Sequence, residues 1–166
     1  SPAPSTPASS SIAVHDLVKL PDDGNPTTQE DSAVYYIGRD NKRHAFPNSN
    51  VYFSWYLNFN GVHIVTLAQL ASLPLGNNVT YRPGKRLIKF ATDHKVYAVS
   101  LGGVLHWIKT EALGVSLYGS NWARLVDDVS DAFYTNYRFG ADINLTSDYD
   151  PVAATNSAPF ISDSLR

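Results

Sequence analysis

The chain contains no cysteine and no methionine among its 166 residues. Without cysteine, disulfide bonds, thiolate chemistry and cysteine-ligated zinc sites are excluded. Because the sequence starts at a serine, we expect the initiator methionine to have been removed, for example together with a signal peptide. No apolar run approaches the roughly 20 residues of a transmembrane helix, so no membrane span is predicted.

Charged residues are also scarce, at 17% of the chain, whereas hydrophobic residues make up 43%. The usual charged share is about a quarter. A formal net charge of −2 and a pI near 6.2 provide no basic field of the kind that binds phosphates, so nucleic acid is not an expected partner. The composition is that of a globular chain with room for one domain, or for two small repeats that share a core.

One stretch of the sequence occurs twice. Val34 recurs as Val96 at a spacing of 62 (96 − 34), and Gly76 recurs as Gly140 at a spacing of 64 (140 − 76). The two copies occupy residues 34–76 and 96–140. Residues that return in both copies are expected to hold the architecture of the unit, and function is expected where the copies differ.

Each copy has the pattern of a β-hairpin followed by two short helices. Strand candidates are rich in β-branched and aromatic residues, and Thr66-Leu67-Ala68-Gln69 has the pattern of a capping box. A short final strand is expected at 79–81 in the first copy and at 141–143 in the second. We therefore predict an α+β fold in which two tandem β-β-β-α-(β)-α-β repeats pack as one small domain.

The ends of the chain have a different composition from the repeats. Ser, Pro, Ala and Thr make up residues 1–11, which is typical of an extended stalk or linker. The predicted organisation is a Ser/Pro-rich tail at 1–14, repeat units at 15–82 and 83–146, and an extended C-terminal tail at 147–166. The first unit carries eight extra residues, which form a longer loop at 21–32.

Several landmarks are similar to a known repeat. The runs Lys-Arg-His-Ala-Phe-Pro-Asn at 42–48, Val-Thr-Leu-Ala-Gln-Leu at 65–70 and Leu-Pro-Leu-Gly at 73–76 resemble a repeat of exported and cell-surface bacterial proteins, which often occurs in tandem beside Ser/Pro-rich linkers. The resemblance covers residues 16–143, although the second copy has no basic pair. It implies a surface location and a non-enzymatic role, and it implies no site residues.

Acidic residues supply the candidate metal ligands. Asp127, Asp128 and Asp131 form the densest cluster; a solvated turn with charge at a helix N-terminus explains it, and a calcium site is the alternative. The run at 22–25, Asp-Asp-Gly-Asn, is a second calcium candidate. No other cofactor is predicted. His44 and His106 occupy equivalent repeat positions, so a shared packing role is favoured over a metal pair.

Aromatic and basic residues supply the candidate binding positions. Trp55, Tyr56 and Trp122 belong to an aromatic content of 12%; most such rings are expected in the core, and an exposed ring could stack on a sugar or contact another subunit. Lys42 and Arg43 are candidate contacts or ordinary surface. Asn78 and Asn144 begin formal N-glycosylation motifs, although we do not expect a bacterial protein to use them.

These patterns predict a non-catalytic extracellular or cell-surface protein of bacterial type. In the first hypothesis, it assembles with other copies of itself through its tails into a surface layer or filament. In the second, it binds cell-wall or other glycans through exposed aromatic residues. The nucleophile elbow Gly-x-Ser-x-Gly is missing from the sequence, so we predict no enzyme.

Overall fold

The described part of the chain contains two small β-sheets. The structure is a computed structural model that describes residues 11–166, so the prediction for the Ser/Pro-rich tail falls largely outside the described residues. The strands are β1 (Leu17–Lys19), β2 (Tyr35–Ile37), β3 (Arg43–Ala45), β4 (Val62–Ile64), β5 (Leu87–Phe90), β6 (Tyr97–Ser100), β7 (Val104–Trp107), β8 (Val126–Val129) and β9 (Arg138–Phe139). The α-helices are α1 (Ser49–Trp55), α2 (Leu67–Ala71), α3 (Glu111–Tyr118) and α4 (Pro151–Ser157). The 3₁₀ helices are Trp122–Leu125, Asp131–Asn136, Thr146–Asp148 and Ile161–Asp163.

The two sheets share a pattern of strand connections. The first sheet has the order β3-β2-β1-β4 and the second has the order β8-β5-β6-β7-β9. In the first, β1 pairs antiparallel with β2 and parallel with β4; in the second, β5 pairs antiparallel with β6 and parallel with β8. Helices and sheets in this arrangement confirm the predicted α+β class.

Backbone contacts near the end of each half also match. Gly76 N–H donates to Arg43 O (2.9 Å) and Gly140 N–H donates to Leu105 O (2.8 Å). These pairs differ by the spacings seen in the sequence, 62 (105 − 43) and 64 (140 − 76). The contacts support duplication of one unit, which remains an interpretation of the sequence.

The final strand of each half differs from the prediction. In the first half, Leu75 makes a single parallel bridge to Arg43, and residues 79–81 form no strand. In the second half, the pairing begins earlier as β9, and Ile143 makes a single bridge to Ile108. The side chains at 79–81 are buried in the core, so packing and a backbone hydrogen bond from Val79 N–H to Ala45 O (2.9 Å) hold this segment without a β-ladder.

A common core joins the halves. Leu17, Tyr36 and Tyr52 from the first half belong to the same buried cluster as Phe90 and Leu105 from the second. These side chains are almost fully buried. Because each sheet has few strands, burial of one apolar face against the other half supplies stability that neither sheet would have alone.

The C-terminal segment is not the extended tail that its composition predicted. Asp150 caps α4 by accepting hydrogen bonds from Val152 N (2.9 Å) and Ala153 N (3.2 Å), and Pro151 occupies the first turn, where a missing N–H costs nothing. Tyr149 O–H donates to Val99 O in β6 (2.7 Å). The segment therefore packs on its own domain.

Residues beyond α4 contact both sheets. The Arg39 guanidinium, after β2, pairs with Asp163 at 2.7 Å. On the other sheet, the N–H of Gly102 in the β6–β7 turn donates to Ser164 Oγ (3.0 Å). Ile161 and Ser164 are buried, so this last stretch fastens the halves together.

Four aspartates give the fold a predicted acid sensitivity. Their pKa values lie below the usual 3.8: Asp40, Asp93, Asp148 and Asp163. For Asp163 the main cause is the hydrogen bond from Arg39, and for Asp148 it is donation by the backbone N–H groups of Leu145 and Asn144. At Asp40, burial raises the pKa, but the hydrogen bond from His44 and other favourable contacts outweigh it.

A carboxyl group whose pKa is lowered in the folded state stabilises the fold above its unfolded pKa, and it loses that contribution as the pH falls through the folded value. We therefore expect the thermal midpoint to fall when the pH is lowered from about 5 to about 3. The Asp163→Asn variant should show a smaller fall over the same interval in circular dichroism melts. An identical fall in both proteins would contradict a role for Asp163.

Candidate functional site: the β4 surface

The segment at residues 44–81 contains no lysine, arginine, aspartate or glutamate, although the corresponding residues 106–145 contain eight. This uncharged segment exposes large apolar side chains: Phe53, Leu57, Phe59, Ile64, Leu67 and Leu75. Leu57 is 95% exposed and Ile64 is 58% exposed. Exposed apolar groups that lie together on a folded surface mark interaction sites more often than isolated ones do.

Helix α1 places the aromatic part of this surface. Asn48 caps the helix by accepting a hydrogen bond from Val51 N (3.0 Å), and the helix ends where Tyr56 becomes extended. Its buried side is formed by Val51, Tyr52 and Ser54, which leaves Phe53 on the opposite, solvent-facing side.

The loop after α1 is fixed by Tyr52. Its ring stacks on Phe59 with centroids 4.4 Å apart, and its hydroxyl donates to Asn58 O (2.7 Å). Phe53 meets Phe59 edge-on at 5.2 Å. The half-exposed phenyl rings are therefore held in place before any partner arrives, which lowers the entropy cost of binding. We call the exposed apolar residues between α1 and the end of β4, which are Phe53, Leu57, Phe59 and Ile64, the β4 surface.

Strand β4 lies at the edge of the first sheet. Val65 N–H, immediately after the strand, donates to Lys19 O (2.9 Å). Because backbone groups alternate in direction along a strand, those of Ile64 point away from β1. The side chain of Ile64 lies on the same face as that of Val62, which packs at the core.

The matching edge strand of the second half is charged. Leu17 pairs with Val62 and Leu87 pairs with Val126, so Asp127 and Asp128 occupy the places of His63 and Ile64. Charged side chains on an edge strand oppose pairing with another chain. The two edges therefore differ in chemistry although they share a position in the sheet.

The predicted calcium cluster does not come together. Asp127 forms a two-contact ion pair with Arg86, including Arg86 Nε to Asp127 Oδ2 at 3.1 Å, and this hydrogen bond raises the pKa of Arg86. Asp128 is exposed, and Asp131 accepts from Thr92 N (3.4 Å). Asp127 and Asp128 are neighbours in β8, and neighbouring residues of a strand point to opposite faces. Their two carboxylates are therefore directed apart.

Within residues 11–166, one group of three carboxylates comes together: the oxygen atoms of Asp22, Asp23 and Asp31 lie within 4.8 Å of one another. Such oxygens are ligands that hard cations prefer. The sequence showed the first two, but Asp31 joins them through a loop that brings its carboxylate to Asp23 N (2.9 Å). Asp22 likewise accepts a bond from Gly24 N (2.8 Å), so local hydrogen bonds account for the cluster.

The predicted aromatic platforms are largely packed within the protein. Trp55 Nε1 donates to Thr80 O (2.8 Å) while Arg82 lies over its ring at 5.4 Å. Trp122 packs against Gly114, where an added Cβ would approach its ring to 2.7 Å. Burial raises the pKa of Tyr56 well above its usual value. Trp55 and Tyr56 pack against the common core and Trp122 packs within the second half. Phe53 and Phe59, which contact Tyr52, are exposed.

The basic pair also has neighbours within the fold. Arg43 Nε donates to Leu73 O (3.0 Å), and its guanidinium lies over Tyr35 at 5.1 Å. Lys42 is exposed in the hairpin turn. Arg43 therefore ties β3 to the loop after α2, which explains its presence without a ligand.

The two glycosylation motifs differ in accessibility. Asn144 and its Thr146 are both exposed, whereas Thr80 in the motif of Asn78 is buried. A modifying enzyme must reach the hydroxyl-bearing residue as well as the asparagine, so the folded chain offers Asn144 alone of these two.

A Ser–His pair in the second half has a geometry that catalysis could use. Ser100 Oγ lies 2.8 Å from His106 Nε2, and His106 Nδ1 donates to Ala141 O (2.7 Å). In the first half, His44 makes the same contacts with Asp40 (3.0 Å) and with Asn77 O (2.7 Å). In that pair Asp40 takes the place of Ser100. Both rings therefore share a structural role, which is to tie the hairpin to the residue after Gly76 or Gly140.

An open groove of about 340 Å³ lies between the long loop and α1. Its lining includes the polar groups Gln29, Ser32 and Asn48 and the rings of Tyr52 and Phe59. Amides beside an aromatic ring can bind sugars or extended peptides.

Comparisons with known proteins identify no relative. No protein-family model, no curated protein and no solved structure matches the chain. The resemblance to a repeat of exported proteins therefore stays a prediction. Among the helices at residues 11–166, none combines the length and the apolar character needed to cross a bilayer.

Proposed function

We propose that the chain is a non-catalytic structural module that associates with other copies of itself through the β4 surface, in an extracellular or cell-surface assembly. The observation that carries this proposal is the exposure of Leu57, Phe53, Phe59 and Ile64 on a segment without charged residues. The extracellular location rests on the sequence resemblance.

The contact surface differs from the one that the sequence suggested. The C-terminal segment packs on its own domain through Tyr149, Ile161 and Ser164. It is therefore not an extended tail that reaches another copy. The first ten residues lie outside the described part of the chain. Assembly is therefore assigned to the β4 surface, where the apolar side chains face water in the single chain.

Sedimentation velocity of the full chain over a concentration series tests self-association. Leu57→Asp should weaken association at least about tenfold, because a carboxylate would be buried at the contact without a partner. The cost to the fold should be small, since Leu57 is almost fully exposed. Added salt should not weaken association between the unchanged chains, because the contact is apolar.

Val152→Asp is the control, because Val152 is also an exposed apolar residue, at 68%, but lies on α4, far along the chain from β4. It should leave association unchanged. A full chain that stays monomeric at high concentration, or two variants with equal effects, would contradict the proposal.

Glycan binding is the second candidate function. The groove beside α1 favours it, because the half-exposed ring of Phe59 stands beside the side-chain amides of Gln29 and Asn48. Pull-down on peptidoglycan and other insoluble polysaccharides separates the two functions. Retention that Phe59→Ala abolishes in a chain that sediments as a monomer would favour glycan binding.

A further inference from the structure

We infer that two copies pair through the outer edge of β4, with Ile64 of one copy opposite Ile64 of the other, so that the two first sheets join into one. This inference rests on the proposed self-association and specifies its geometry. It is carried by the backbone directions at β4, an observation separate from the exposed side chains.

The backbone groups around β4 limit where a second strand can attach. Val62 N–H is already bonded to Phe59 O (3.1 Å), and Thr66 N–H is bonded to Gln69 Oε1 (2.9 Å). Val65 N–H points inward to Lys19 O. Ile64 is the residue of this segment whose N–H and C=O both point outward, so the pairing is centred on it.

A second copy satisfies both groups of Ile64 at once. When a strand pairs antiparallel with its own copy about a two-fold axis, one residue lies opposite itself and exchanges two N–H···O bonds. The combined sheet would have the order β3-β2-β1-β4-β4-β1-β2-β3.

The side chains agree with this partner. Ile64 would meet Ile64 of the second copy, and neither strand β4 carries a lysine, arginine, aspartate or glutamate. The corresponding edge strand β8 carries exposed Asp128 at the place of Ile64, and two such carboxylates opposite one another would repel. The apolar edge can therefore join copies while the acidic edge stays apart.

Ile64→Pro in the full chain tests the backbone bonds. Proline removes the outward N–H and leaves the inward bonds to β1, which is the arrangement in which edge strands tolerate proline. We expect association measured by sedimentation to weaken at least about tenfold. Asp128→Pro, at the matching place in β8, is the control and should leave association unchanged. If the Ile64→Pro variant associates as strongly as the unchanged chain, the pairing is wrong.

Ile64→Cys supplies a second test that does not depend on proline. The unchanged chain has no cysteine, and opposite residues in a hydrogen-bonded antiparallel pair lie about 5.5 Å apart, within the Cα range of about 4.4–6.8 Å for disulfides. Mild oxidation should give a covalent dimer on a non-reducing gel. Asp128→Cys is the control and should remain largely monomeric; equal yields would overturn the inference.

The outcomes distinguish this inference from the function on which it rests. If Leu57→Asp dissociates the assembly but Ile64→Cys gives no dimer above its control, copies associate through the β4 surface without strand pairing, and the inference is wrong. If the unchanged chain is monomeric and Ile64→Cys gives no excess dimer, both are wrong.

Discussion

Gly84→Ala should lower the free energy of unfolding by about 3–5 kcal/mol, the largest effect that we expect from a single methyl group in this protein. Gly84 lies between the two halves with a φ of +77°, a conformation that costs any residue with a Cβ about 1–3 kcal/mol. Contact with the C-terminal segment adds a second cost.

The second cost comes from the backbone of helix α4. A Cβ at Gly84 would lie 2.0 Å from Pro151 O and 2.5 Å from Thr155 Oγ1. Thr155 Oγ1 is itself bonded to Pro83 O (2.9 Å), so neither side can move without breaking a contact. We expect α4 to detach from the segment between the halves, with a thermal midpoint about 10 °C lower.

Gly24→Ala separates the two costs. Gly24 also has a positive φ, +74°, but nothing lies within 4 Å of a Cβ added there. It should lose about 1–2 kcal/mol, from backbone strain alone. Denaturant unfolding followed by circular dichroism measures both variants; equal losses would show that the close contact with Pro151 does not contribute.

Gly76→Ala should cost about 2–3 kcal/mol for a different reason, overpacking against a buried ring. A Cβ at Gly76 would lie 2.3 Å from His44 Cε1. His44 is 1% exposed, and its ring is held at both nitrogens by Asn77 O and Asp40. The imidazole therefore cannot turn away without losing hydrogen bonds.

The second half supplies the matched variant. At Gly140 the added Cβ would lie 2.7 Å from Val104 Cγ1 and 2.8 Å from His106 Cε1, and His106 is only partly buried. Gly140→Ala should therefore cost less than Gly76→Ala in denaturant unfolding. A double-mutant cycle with His44→Ala checks the cause: if the two losses at His44 and Gly76 simply add, the ring is not the obstacle.

Local features of the fold could be predicted from the sequence. The capping box of α2 is present, with Thr66 Oγ1 accepting from Gln69 N (3.1 Å) and Gln69 Oε1 accepting from Thr66 N (2.9 Å). The β2–β3 and β6–β7 hairpins, and the strands β1 and β5 that precede them, also follow the residue pattern. Such features depend on residues within about four positions of one another, so the sequence carries them directly.

Predictions that depended on distant residues were less successful. The C-terminal segment has few apolar residues, and its composition suggested an extended tail; Tyr149 and Ile161 are nevertheless buried, because the segment crosses both sheets. Trp55 is likewise partly covered by distant residues, since its ring N–H is bonded to Thr80 O and Arg82 lies over the ring. Which face of a ring is exposed to solvent depends on segments that are distant in the sequence but pack beside it in the fold.

The candidate site shows the same division. The absence of charge at residues 44–81 is a property of the sequence alone, and so is the alternation that puts Asp127 and Asp128 on opposite faces of a strand. The sequence also determines the α+β class and the capping of the helices, through periodicity and turn residues. Only the tertiary structure decides that β4 is an edge strand, that Leu57 faces water and that Ile64 directs its backbone outward, because burial and pairing depend on which distant segments come together.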